Sequence, residues 1–272
     1  MTVEVSERSE RAAAAAGPWH GLREAARATV WLGIREVRTV LRYPASFVPN
    51  LFMPLFFYFI MVASLSGFAR RAGVGDYRAF QLPASILIAV MSGSAGLNLV
   101  TDIESGYFDK LLLTPVSRLS IVLGAMGADF LRIFLQGLLV TAAALLAGLD
   151  FATGVAGAVL MVVIASMWGL AYSAIGFALA LKTGNSQATQ SIWALFIPFF
   201  FLTSSFAPEG QLSGWLATAA RFNPLTYVLR GLRALSMSGW AWHDVGVAVL
   251  TAAAFGALTL TLTIRALLGR IR

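Results

Sequence analysis

The chain has 272 residues, 58% of them hydrophobic and only 12% charged, with a mean hydropathy of +0.77. Soluble domains carry about 25% charged residues, so this composition excludes a water-soluble globule and leaves a membrane domain whose surface faces lipid. Net charge is +7 with no Cys, but the basic residues flank apolar segments and form no nucleic-acid-binding domain, and thiolate chemistry is excluded.

Residues 1–19 are polar and Ala-rich and lack the apolar core of a signal peptide. They read as a flexible cytoplasmic tail ahead of one membrane domain, 20–272. A helix is expected over 20–42, where Val30, Ile34, Val37 and Leu41 make an apolar stripe beside Arg35, Arg38 and Arg42. That pattern suits a helix lying in the membrane interface, or one packed on a partner. Pro44 ends it, and Pro49 and Pro54 are expected to kink the helix that follows.

A hydrocarbon core of about 30 Å needs about 20 apolar residues in a helix. Six stretches meet this: 46–66, 81–100, 119–147, 154–181, 189–207 and 245–264. The expected fold is therefore an all-α integral membrane protein with six transmembrane helices. With both termini on the same side, 13 Lys and Arg fall there and 6 on the other. The excess of positive charge on the inner side places the termini in the cytoplasm. Three arginines in the first outer loop, Arg70, Arg71 and Arg78, run against that trend.

Only the third stretch carries charges, Asp129 and Arg132, which share a helix face. They read as an interfacial structural pair or as a pair lining a pathway. Between the fifth and sixth stretches, residues 208–244 contain two amphipathic pieces. Leu212, Trp215, Leu216 and Ala219 mark one, Leu225, Val228, Leu229 and Leu232 the other, with Asn223-Pro224 between them. Two short re-entrant helices that dip into the outer leaflet, or lie on it, satisfy this pattern.

Catalytic signatures are missing. No P-loop is present, so ATP and Mg are not held by that route in this chain. No metal motif occurs, and His20 and His243 are expected at opposite membrane faces. Gly73-Val74-Gly75-Asp76 spells GxGD, but no second carboxylate lies in a span to make an aspartyl-protease pair. A glycine-rich turn is the simpler reading.

The most charged inner loop runs from Thr101 to Arg118. Asp102 is expected to cap a short helix there, with Glu104 in its first turn and Thr114-Pro115 at its end. Phe108, Leu111 and Leu112 fall on one face of that helix and want a protein groove or the membrane to cover them.

The run Glu104-x-Gly106-(x)4-Leu111-Leu112-x-Thr114-Pro115-x-Ser117-Arg118 resembles the coupling-helix signature of type-2 ABC exporter permeases. This family includes daunorubicin-resistance and polysaccharide export permeases. Tyr107 stands where the family often has Thr. Asn223-Pro224-Leu225-Thr226-Tyr227, followed by Leu232-Arg233-Ala234-Leu235, resembles the family's outer segment before its last span.

The resemblance implies a permease that pairs with a second copy or paralogue in a bacterial inner membrane. It also implies a separate ATPase subunit, which binds ATP and Mg and docks against Glu104, Gly106, Phe108, Asp109, Leu111, Leu112, Thr114, Pro115 and Arg118. No cofactor and no nucleic acid are implied for the permease itself. Phe52, Phe56, Phe199 and Phe200 are candidates for a substrate path or dimer interface, which suits a hydrophobic drug or lipid. An ion-coupled transporter or channel is the alternative, and it needs ionisable groups deep in the spans.

Overall fold

A computed structural model describes residues 31, 44–92, 96–113 and 118–270. The helix expected over 20–42 lies outside the described residues except for Trp31. Among the described residues every regular element is helical: α1 (Pro44–Arg71), α2 (Tyr77–Met91), α3 (Leu97–Glu104), α4 (Tyr107–Leu112) and α5 (Arg118–Leu146) are followed by α6 (Gly154–Thr183), α7 (Ser186–Phe201), α8 (Gly214–Phe222), α9 (Pro224–Arg233) and α10 (Trp242–Arg270). A 3-10 turn, Glu209–Gln211, precedes α8, and a π-helical turn, Ala234–Ser238, extends α9.

Four stretches are long and apolar enough to cross a membrane: Asn50–Arg71, Ile121–Leu146, Gly154–Thr183 and Trp242–Gly269. They match the first, third, fourth and sixth expected spans. α1 passes through Pro49 and Pro54 without interruption.

The second and fifth expected spans come out shorter. α2 has 15 residues and α7 has 16, about 22 and 24 Å at 1.5 Å per residue. α2 closes at Ser92, whose N–H and hydroxyl both donate to the Ile88 carbonyl. The chain then reaches Gly96, which has φ +82°. A Cβ there would lie 2.6 Å from the carbonyl carbon of Gly176 on α6, so backbone meets backbone. At the end of α7, the Thr203 and Ser205 hydroxyls donate to the Phe200 carbonyl. That takes up a helix-terminal acceptor and lets the chain leave the helix.

α6 is the centre of the bundle. It is apolar on every side, as expected of a surrounded helix, and more than half of its apolar window is enclosed. Trp168 is fully buried and stacks on Phe255 of α10 with ring centres 4.7 Å apart. α10 packs along α6 more extensively than any other pair of helices, and α2 and α5 cover other sides. α1 is peripheral, with Phe52, Met53, Phe56 and Phe68 exposed.

α5 is clipped to α6 by charge. The Arg132 guanidinium donates to one Asp129 oxygen at 3.1 Å, and the Ser173 hydroxyl donates to the other. Both charged side chains are buried, at 4% exposure for Asp129 and 12% for Arg132.

Antiparallel packing gives the bundle two ends. One gathers Glu104, the α6–α7 turn and the last turns of α10, where Leu267 packs with Phe108. The other gathers the α1–α2 turn, α8, α9 and the start of α10.

Two outcomes follow from this packing. Gly96→Ala forces a left-handed backbone costing about 1–2 kcal/mol and pushes α3 off α6, so thermal unfolding in detergent shows a clear drop in midpoint. Asp129→Leu alone strands the Arg132 charge and costs about 3–5 kcal/mol, whereas Asp129→Leu with Arg132→Met recovers most of that loss in a denaturant titration.

Candidate functional site

The charged loop folds differently from its expected single helix. Asp102 and Glu104 stand in the last turn of α3, not the first turn of a new helix. The apolar residues Leu99, Val100 and Ile103 bury themselves and start the helix early. Gly106, at φ +70°, turns the chain after Ser105 and restarts it as α4. Asp102 is therefore not an N-cap.

A carboxylate at a helix C-terminus opposes the dipole of its own helix. Glu104 escapes this by reaching another helix: its Oε1 accepts from the Ser186 N–H at 2.7 Å. Ser186 is the first residue of α7, and Asn185 caps the same end by accepting from Ala188 N–H at 3.0 Å. The exposed loop is thus tied to α7 by one charge-assisted bond across 82 positions of chain.

Phe108 was expected to face a partner. It is instead 1% exposed, packed inside this chain against α3, α5, α6 and α10. An aromatic ring finds its groove in the nearest apolar cluster, and that cluster is the chain's own. After Gly106 the exposed residues are Tyr107, Asp109, Lys110 and Leu113, the last 87% exposed, and before it Thr101, Glu104 and Ser105 are exposed as well. Leu111 and Leu112 close α4, Arg118 opens α5, and Thr114 and Pro115 lie outside the described residues.

α7 is bracketed at its far end too. Asn223 is buried, and its Nδ2 donates to the carbonyls of Phe199 at 2.7 Å and Leu202 at 3.0 Å. Its Oδ1 accepts from Leu225 N–H at 3.0 Å, capping α9 with Pro224 as the first helical residue. One side chain therefore serves the last carbonyls of α7 and the first N–H of α9. On α9 the stripe Leu225, Val228, Leu229 and Leu232 is fully buried, as its spacing predicts. On α8 the stripe fails: Trp215 is 73% exposed, and Ala220 is the buried residue of that helix.

Arg233, unmarked by the sequence as a site, joins three segments. It donates to the Phe80 carbonyl at 3.2 Å, the Ser204 hydroxyl at 3.1 Å and the Ser205 carbonyl at 3.2 Å. Its guanidinium lies 3.6 Å over the Phe80 ring. One turn back, Arg230 forks onto both oxygens of Glu209. That hydrogen bonding holds the Arg230 guanidinium above its usual pKa, while burial pushes that of Arg233 down.

The four phenylalanines divide. Phe52 and Phe56 are exposed and stacked 5.7 Å apart on α1. Phe199 is half-buried. Phe200 is enclosed among Phe57, Phe196 and Phe206, a core position and not a path wall. Asp129 and Arg132 are likewise closed in by Ser173. Asp76 caps α2 and pairs with Arg78, so the GxGD run is a turn.

Known proteins resemble this chain over most of its length. A daunorubicin resistance ABC transporter permease protein of Streptomyces coeruleorubidus is 25% identical over 241 residues, covering 88% of this chain and 85% of that protein. A protein of Pyropia yezoensis named as a transport permease is 27% identical over 220 residues, 76% of this chain and 73% of its own. A protein of Mycobacterium tuberculosis named as a doxorubicin resistance ABC transporter permease is 21% identical over 160 residues, 58% of each chain. The family described as ABC-2 type transporter matches residues 27–237. The chain is a membrane protein and belongs to the ABC-2 type transporter family.

Proposed function

We propose that this chain is the permease subunit of an ATP-driven exporter in a bacterial inner membrane. It works with a separate ATPase subunit and a second permease copy or paralogue, and it moves a hydrophobic drug or lipid out of the cytoplasm or inner leaflet. The observation that carries this reading is the Glu104–Ser186 bond. It gives an exposed loop a direct grip on α7, which in turn is gripped at its other end by Asn223.

A push on α3 and α4 would travel along α7 to α9 without bond chemistry in this chain. The ATPase subunit would dock on Tyr107, Asp109, Lys110 and Leu113, while Phe108 carries the load inward to α5, α6 and α10. Six crossings are proposed, with both termini cytoplasmic. α2 continues into α3 as a broken crossing, and α7 ends beneath the α8–α9 pair. Irregular backbone at membrane depth is acceptable where protein covers it, and Gly96 on Gly176 supplies such cover.

The substrate class rests on two supports. Relatives are named for daunorubicin and doxorubicin resistance. The exposed surface of α1 from Phe52 to Phe68 is uncharged and carries Phe52, Phe56, Phe59 and Phe68. Asp129 and Arg132 neutralise each other within the bundle, which disfavours ion coupling through them.

Two measurements test this. With the ATPase subunit co-expressed, Leu113→Asp is expected to weaken its retention on the tagged permease by about 2 kcal/mol, roughly thirtyfold. Phe108→Ala should instead lower the thermal midpoint of the permease. Retention unchanged in Leu113→Asp would remove the docking reading. In proteoliposomes containing both subunits, ATP should drive accumulation of a fluorescent anthracycline. Transport of a polar glycan alone would overturn the substrate class.

A further inference from the structure

The end of the bundle opposite Glu104 holds a cleft of about 550 Å³. Its walls come from the α1–α2 turn (Gly73, Gly75), the 3-10 turn (Glu209), α9 (Arg230, Arg233) and the start of α10 (Asp244). The two arginines differ in how they are neutralised. Arg230 has the Glu209 carboxylate. Arg233 has only neutral partners, two carbonyls, one hydroxyl and the face of Phe80.

Among the described residues no carboxylate forms an ion pair with Arg233. A guanidinium has five N–H donors, and Arg233 commits three of them. The remaining two are on its terminal nitrogens, the part that best fits a bidentate oxyanion. A largely enclosed cation with neutral partners, lining an open cleft, is half of an ion pair whose other half enters from outside.

The surroundings say at what depth. Trp240 and Trp242 stack 5.0 Å apart beside the cleft and are exposed, as are Trp215 and Phe222 on α8. Indole rings collect at the headgroup level of a bilayer. This end also carries the arginines that oppose the charge trend of the chain, Arg70, Arg71 and Arg78 among them. A reason to concentrate cations at this face is an anion held there.

We infer that Arg233, at the floor of this cleft, binds the phosphate of a lipid headgroup, with Arg230 as the second cation at the rim. The phosphate takes the two free N–H groups of Arg233, the acyl chains lie along the bundle surface, and Glu209 and Asp244 face the rest of the headgroup. The site lies at the opposite end from the ATPase-docking loop and does not depend on the export reading.

The test uses the purified full chain in detergent, without any ATPase, and native mass spectrometry with added dioleoyl phosphatidylglycerol. Dioleoylglycerol is the phosphate-free control, and inorganic phosphate is the competitor. Two variants accompany the parent. Arg233→Gln removes the charge. Gly75→Trp fills the cleft from a position with open space around it and leaves the hydrogen bonds of Arg233 intact.

The expected result is retention of phosphatidylglycerol but not dioleoylglycerol, weakened by about tenfold or more in each variant. Displacement by millimolar inorganic phosphate would keep the oxyanion site and change its source to a soluble anion. Equal retention of both lipids, or parental retention in Gly75→Trp with an unchanged thermal midpoint, overturns the proposal.

Discussion

A backbone inside hydrocarbon must satisfy its own hydrogen bonds, so the bundle depends on long helices, one of them surrounded by the others. α6 meets this constraint for the whole chain. It is apolar all round, enclosed over most of its length, and touched by α2, α5, α7, α9 and α10. Its hydroxyls are tied locally or to a neighbour: Ser166 bonds within its own helix, Tyr172 donates to the Ile192 carbonyl, and Ser173 completes the Asp129–Arg132 pair. With that axis secured, peripheral helices can be short, broken or exposed.

The irregular segments are where side chains replace helical bonding. Glu104 supplies an acceptor to the first N–H of α7, and Asn223 supplies donors to its last carbonyls. These are the helix-terminal orphans that water would serve in a soluble protein. Here they are served by residues from α3 and from the start of α9. The same device that stabilises a short apolar helix also makes its position depend on two distant loops. Under the proposed function, the bonds that stabilise α7 are also the ones that would transmit a push.

Much of this could be read from the chain alone. Apolar runs of about 20 residues or more marked α1, α5, α6 and α10, with charge only at Asp129 and Arg132 of α5, because lipid burial demands little else of a sequence. Leu225, Val228, Leu229 and Leu232 located α9 by periodicity, and Asn223-Pro224 its start. The breaks in the second and fifth spans were hidden. They depend on Gly96 meeting Gly176 and on hydroxyls near residue 203, which are contacts across sequence and not local patterns. Phe108 misled for the same reason. Its helical spacing correctly gave an apolar face, but spacing does not say whether the cover is a partner or the chain itself. Arg233 stood within the Leu232-Arg233-Ala234-Leu235 run that resembles the family's outer segment, but nothing local to it marked a site. Its significance lies in what Phe80, Ser204 and Ser205 do not supply, namely a negative charge.

The contact of Gly96 with Gly176 has a mechanical meaning. Most helix contacts are cushioned by side chains that can change rotamer, so a small shift in one helix is absorbed before it reaches the next. Two glycines facing backbone to backbone leave no such play. A displacement of α3 meets the peptide plane of α6 directly, as a bearing surface without backlash, and the slack in this permease must therefore lie elsewhere.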